Sequence, residues 1–307
     1  MTAVTPKFGM GAPVLRIEDD TFIRGAGRYT DDIRPAGSLH CYILRSPVAN
    51  GSFRIRSTEA ARQASGVHLV LTGKDVAHLK PLRSGGMPKQ ADGSRRPTRD
   101  IPILCTDKVH YVGDAVALLV ADSRELAQDA AELIEIDFDG EDAAASTATA
   151  LGRETPLVWP EPGSNEAFTY HIGDADKTRA AFAKAFKGTR IAFTNNRLVC
   201  NYMEPRAAIG EWKPEEDRFV LTTGSQGVHG MQKILTGVFG IDSKQLRVIT
   251  PDVGGGFGTK AFVYREYALV LEAAKRLGKP VKWTGERTEH FLTDAQGRDN
   301  VVQAAMA

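Results

Sequence analysis

Short apolar runs separated by polar turns alternate between a period of two and a period near 3.6 along the chain. Strands are expected over 39–44 and 67–71, with a short helix over 57–64 between them, closed by Gly66. Residues 115–120 are apolar without interruption, the pattern of a buried strand. Ser123 is the candidate N-cap of a helix reaching Ile134, with Leu126, Ala130, Leu133 and Ile134 on its apolar stripe, and 135–138 returns as a strand. Residues 139–149 are small, polar and alanine-rich, and 156–162 carry prolines, so a linker between two denser regions is placed at 141–165.

In the second region a helix is expected over 180–186 and strands over 189–193, 207–212 and 218–223. Gly224-Ser225-Gln226-Gly227 then leads into a helix with Val228, Met231, Ile234, Leu235 and Val238 at helical spacing, stopped by Gly240. A second unit of the same kind follows: an apolar run at 246–249, a glycine-rich loop, and a helical pattern over 263–277. Residues 300–307 alternate like a strand but have no return partner, so an open edge is expected there, and with it a fragment or a chain completed by another polypeptide.

The loop Pro251-Asp252-Val253-Gly254-Gly255-Gly256-Phe257-Gly258-Thr259-Lys260 carries the candidate chemistry. Its four glycines permit positive φ and bring bare peptide N–H groups up to a ligand, which describes a cradle for an anion or an oxo group. Neither common phosphate motif fits. A Walker loop needs Lys followed by Ser or Thr, whereas Lys260 follows Thr259 and precedes Ala261; the dinucleotide fingerprint needs two residues before its last glycine, whereas one separates Gly256 from Gly258. A structural turn remains the plain alternative.

Composition narrows the classes. A hydrophobic fraction of 42% and a charged fraction of 25% describe a globular chain, and 307 residues favour two domains. A net charge of +1 gives no electrostatic case for nucleic acid or an anionic membrane. The three cysteines, Cys41, Cys105 and Cys200, are far apart and form no C-x-x-C pair, so no disulfide framework, zinc site or iron–sulfur site is encoded and a reducing, cytoplasmic setting is expected. No apolar signal-type core opens the chain and no run has transmembrane length. Residues 83–99, polar and basic with Gly and Pro, read as an exposed solvated loop.

Taken together, the motifs resemble the amino-terminal part of the molybdopterin-binding large subunit of the xanthine dehydrogenase, aldehyde oxidase and aerobic carbon monoxide dehydrogenase family. The matching stretches are Arg24-Gly25-Ala26-Gly27-Arg28-Tyr29-Thr30-Asp31-Asp32, Leu44-Arg45-Ser46-Pro47, Tyr111-Val112-Gly113-Asp114-Ala115-Val116-Ala117, Asn201-Tyr202-Met203-Glu204-Pro205-Arg206, Gln226-Gly227-Val228-His229 and the glycine loop, in family order along nearly the whole chain. The resemblance implies a mixed α/β, α+β protein: an arm over 1–20, an α/β hammerhead domain over 21–140, the linker, and the first molybdopterin-binding domain over 166–307, cut at its carboxyl end.

It also implies a molybdenum–molybdopterin cofactor, its cytosine dinucleotide form left open, with no amino-acid ligand to the metal. Cofactor-binding residues would be Gln226, Gly255, Gly256, Phe257 and Gly258: the Gln226 amide bonding an oxygen on molybdenum, the Phe257 and Gly258 N–H groups facing the metal ligands, and the other two glycines allowing close approach. FAD and 2Fe-2S clusters would sit on partner subunits, an iron–sulfur small subunit and a flavin medium subunit, in a dimer of heterotrimers. The general-base glutamate would lie beyond Ala307, leaving no catalytic residue within the chain, and Ala261 stands where purine-oxidising members place a substrate-binding glutamate. Oxidation of an aldehyde, N-heterocycle or carbon monoxide-type substrate with water as oxygen source is the expected activity. The rival is an inactive fragment or scaffold, and a nucleotide-binding protein comes third. Glu204 and Arg206 are expected in an internal ion pair, His229 as a packed histidine, Phe257 as packed while it positions its own amide, and Lys260 as a solvated charge at a helix start.

Overall fold

The computed structural model describes residues 14–83, 88–90, 93–94, 99–161 and 163–307; most of the expected arm and of the basic loop over 83–99 lies outside them. Seven strands form the main sheet in the order Leu246–Ile249, Arg218–Thr223, Ala207–Lys213, Val281–Thr284, Leu39–Arg45, Ala115–Ala121 and Val67–Thr72. Strands from both sides of the 141–165 segment therefore lie in one sheet. The join is the short strand Val281–Thr284, parallel to Leu39–Arg45 with Leu39 opposite Val281, and antiparallel to Ala207–Lys213.

Ala115–Ala121 is buried at every position, which its uninterrupted apolar run requires. One face of that part of the sheet is covered by the helix Arg124–Ala131, where Ser123 accepts a hydrogen bond from the Leu126 N–H at 3.3 Å as its N-cap. Elsewhere the sheet is covered by the helix Arg265–Leu277, whose first ten residues are all buried, including Arg265, Glu266 and Glu272. It lies so close to Ala207–Lys213 that a Cβ at Gly210 would overlap the Val270 carbonyl. Charged side chains inside such a helix need partners, and they have them. The helix Val228–Phe239 flanks the edge strand Leu246–Ile249 and ends at Gly240, whose φ of 67° makes the left-handed cap.

The differences from the sequence reading have local causes. Gly51–Ser57 is a strand, paired with Glu135–Gly140 and Lys108–Val109, so the expected 57–64 helix shrinks to Glu59–Gln63. The expected 180–186 helix begins earlier, at Ala175, where Asp174 caps it, and leaves Phe186 fully exposed beyond its end. The strand Asn300–Met306 is not without a partner: it runs antiparallel to Thr189–Asn195 in continuous register from Asn300–Asn195 to Met306–Thr189. Both strands of this ribbon remain exposed along most of their length.

Candidate cofactor site

The two loops singled out in the sequence meet. Each follows a strand, Arg218–Thr223 and Leu246–Ile249, and these run parallel as neighbours, so both chains leave the sheet on the same side. The Gln226 N–H donates to the Lys260 carbonyl at 3.0 Å, and the Gly258 N–H donates to Gln226 Oε1 at 2.9 Å. Gly255, Phe257 and Gly258 have φ of 92°, 48° and 97°, and the reversals they make turn the loop tightly around the Gln226 side chain. A Cβ on Gly256 would come within 2.6 Å of Gln226 Oε1, and one on Gly254 within 2.5 Å of Glu204 Cβ. A Cβ on Gly258 would meet nothing within 4 Å.

What remains unbonded is informative. The Gly258 amide, expected to face a ligand, is engaged by Gln226. With Gln226 Oε1 accepting from Gly258, the Gln226 Nε2 and the N–H groups of Gly255, Gly256 and Phe257 have no hydrogen-bond partner among the described residues. Three successive free amides in an alternating-φ turn form an anion-binding nest, with a side-chain amide beside it. The Phe257 ring does not pack into the core: it is 74% exposed, and the Phe257 carbonyl receives the Cys200 thiol at 3.4 Å.

Behind the loop the side chains are charged and buried. Lys260 is not solvated. It is fully buried, 2.6 Å from Glu204 Oε2, because the turn Thr259–Ala261 folds it inward under the loop. Burial lowers its pKa, with the Glu204 contact opposing. Glu204 and Arg206 do form internal ion pairs, with other partners than each other. Arg206 is fully buried, its Nε 2.6 Å from Asp294 Oδ1 and Nη1 3.5 Å from Glu266 Oε2, and its guanidinium lies 3.7 Å over the Tyr264 ring. Tyr202 donates its hydroxyl to Asp294 Oδ2. His229, by contrast, is exposed. The sequence reading named Arg45 within a motif but gave it no role, and missed Asp294 and Glu266; the three converge on this network from distant segments.

Glu266 also takes Arg45 Nη2 at 2.7 Å, and Arg45 reaches Glu289 at 2.6 Å, so the network ties the first region to the second. Burial pushes the Glu266 carboxyl up, but Arg206 and Arg45 outweigh it and bring its pKa down to about 2. A folded-state pKa below the unfolded one stabilises at neutral pH, and that share is lost as pH falls from about 4.5 through about 2. The loss amounts to roughly 3 kcal/mol. Urea midpoints are expected to drop across this window in the native chain, and a Glu266→Gln variant, less stable at pH 7, to lose less across it.

A cleft of about 510 Å³ is lined by His110 and Tyr111 of the first region, Trp159 of the linker, and Phe262, Tyr264 and Thr293 of the second region. Phe262, two residues past the glycine loop in sequence, lines this cleft, while no residue of the loop itself does.

Residues 24–142 match the aldehyde oxidase and xanthine dehydrogenase a/b hammerhead domain, and residues 158–307 match the molybdopterin cofactor-binding domain. The chain belongs to the xanthine dehydrogenase and aldehyde oxidase family. Within this family it is 31% identical to the carbon monoxide dehydrogenase large chain of Hydrogenophaga pseudoflava, over 97% of its own length and 38% of that relative's. It is 32% identical to the nicotine 6-hydroxylase large subunit of Paenarthrobacter nicotinovorans, over 95% and 35%. Among solved structures, quinoline 2-oxidoreductase from Pseudomonas putida 86 superposes with a TM-score of 0.80 at 30% identity, covering 93% of this chain and 36% of that one. The Cu,Mo-CO dehydrogenase superposes at 0.82 with 28% identity, over 95% and 37%. The chain thus spans little more than a third of the relatives it matches. Among the described residues no helix is long and apolar enough to cross a membrane, and no three His, Cys, Asp or Glu side chains gather as a metal site.

Proposed function

We propose that the chain supplies the hammerhead domain, over 21–140, and the first molybdopterin-binding domain, from 166, of a cytoplasmic molybdenum hydroxylase. The observation that carries this reading is the set of free donors, Gln226 Nε2 and the amides of Gly255, Gly256 and Phe257, on a loop closed so tightly against Gln226 that a Cβ on Gly256 would displace its carboxamide. Such donors suit an anionic, oxygen-rich group that needs no side-chain ligand. When bound, a molybdenum–pterin group supplies two-electron oxidation of a carbon centre with oxygen taken from water. Gln226 Nε2 and the three amides would hold and orient such a group and would stabilise negative charge on it. The exposed Phe257 and Phe262 rings shield it from solvent.

Aldehydes, N-heterocycles and carbon monoxide are the substrate classes we favour over purines, since Ala261 offers no carboxylate beside the loop, and the cleft at Phe262 is their approach. The cytosine dinucleotide form of the cofactor and partner subunits carrying FAD and 2Fe-2S clusters, in a dimer of heterotrimers, complete the proposal. A second reading is a chain that binds the cofactor without turnover of its own. The test is to purify the chain from its own host with the polypeptides that accompany it, then measure molybdenum, pterin and dye reduction with each substrate class. Cofactor with turnover is the expected result. Cofactor without turnover selects the second reading, and material devoid of both molybdenum and pterin rejects the two together.

A further inference from the structure

Glu204 and Lys260 touch both ends of the glycine loop at once. Glu204 Oε2 accepts the Gly254 N–H at 2.7 Å, and the Glu204 N–H donates to the Gly254 carbonyl at 3.1 Å. Lys260 Nζ meets that same Oε2 at 2.6 Å and the Glu204 carbonyl at 3.0 Å, while the Lys260 carbonyl receives the Gln226 N–H. Entrance, exit and the neighbouring loop are thus held through one ion pair. The pair is enclosed, its side chains 9% and 1% exposed, and Lys260 Nζ lies 4.7 Å over the Tyr202 ring.

An enclosed pair of this kind is a poor source of stability, because neutral groups of similar volume in its place often do as well or better. Its worth lies in geometry. A loop with four glycines among five residues loses more backbone freedom on ordering than a loop of ordinary composition. A ligand that had to order it would bind correspondingly more weakly. We propose that Glu204 and Lys260 are positioning residues, a clasp that pre-forms the 254–258 loop and aims Gln226 before the cofactor arrives. The cofactor part of this inference rests on the function proposed above; the loop part does not.

The decisive variant is Glu204→Gln combined with Lys260→Met, which removes both charges and strands neither. Three measurements are made on it and on the native chain: the urea midpoint, hydrogen exchange without cofactor of the Gly254 and Gly258 amides, the two in the loop that are hydrogen-bonded, and pterin content after expression in a host that makes molybdopterin. The expected result is a nearly unchanged midpoint, with exchange faster by about tenfold or more and pterin content lower by a similar factor, as loss of a charge-assisted hydrogen bond implies. Should the double variant not fold, Glu204→Asp serves, since it keeps both charges yet is one methylene too short to hold Gly254 and Lys260 together. Native exchange and native pterin content in a folded variant would overturn the clasp. Faster exchange in the variant, with no pterin even in the native chain, would keep the clasp and remove the cofactor reading alone.

Discussion

Replacing Arg206 with alanine is expected to destabilise the chain by about 3–5 kcal/mol, the range for breaking a buried ion pair from one side, before any cavity is counted. The reason is the number of groups that depend on it. Asp294 Oδ1 and Glu266 Oε2 would each lose their contact with this cation, at 2.6 Å and 3.5 Å, and the Tyr264 ring would lose the guanidinium lying 3.7 Å from its centre. Asp294, which burial raises, is held below the ordinary carboxylate range by His290, Arg206 and Tyr202 together, so without Arg206 it takes up a proton more readily. Urea unfolding at pH 7 measures the effect. Arg206→Lys should recover less than half, because an ammonium cannot reproduce the forked contacts or the stacking. A loss below about 1 kcal/mol in the alanine variant would mean that the network is not what joins these segments.

Much of the sheet was legible because its strands are apolar runs with turns around them. Ala115–Ala121, Arg218–Thr223 and the helix Arg265–Leu277 were all read within two residues of their ends. The central strand Val281–Thr284 was not, and the cause is visible in Lys282. Its Nζ donates to the Asp31 carbonyl at 2.6 Å, so a charged residue sits buried mid-sheet and interrupts the pattern that marks a strand. The site divides in the same way. That Gln226 and the glycine loop come together followed from motif order, since both loops leave neighbouring strands. That Lys260 is buried did not follow, because a lysine after a run of glycines looks solvated and its partner Glu204 stands 56 residues earlier. The one available hint was a glutamate beside a proline in the motif that already carried the resemblance.

Gly256→Val is expected to lower cofactor retention by tenfold or more while leaving most of the stability. Two glycines of the loop make opposite demands, and the contrast tests what each is for. At Gly258 the space is open, but φ is 97°, so any side chain is strained there at about 1–2 kcal/mol even though it meets nothing. At Gly256 a Cβ would fall 2.6 Å from Gln226 Oε1 and 2.8 Å from its Cδ, so the carboxamide itself must leave. Gln226 lies at the surface and can swing into water, which limits the stability cost to roughly that of one lost hydrogen bond, about 1 kcal/mol. Its departure also frees the Gly258 amide and takes Nε2 away from the other free donors. Molybdenum and pterin per chain should then fall by tenfold or more, in keeping with the worth of an orienting donor. Gly258→Ala should show the reverse balance, with a lower urea midpoint and retention reduced less than in Gly256→Val. If the two variants lose cofactor and stability in equal proportion, the loop is a turn and nothing more.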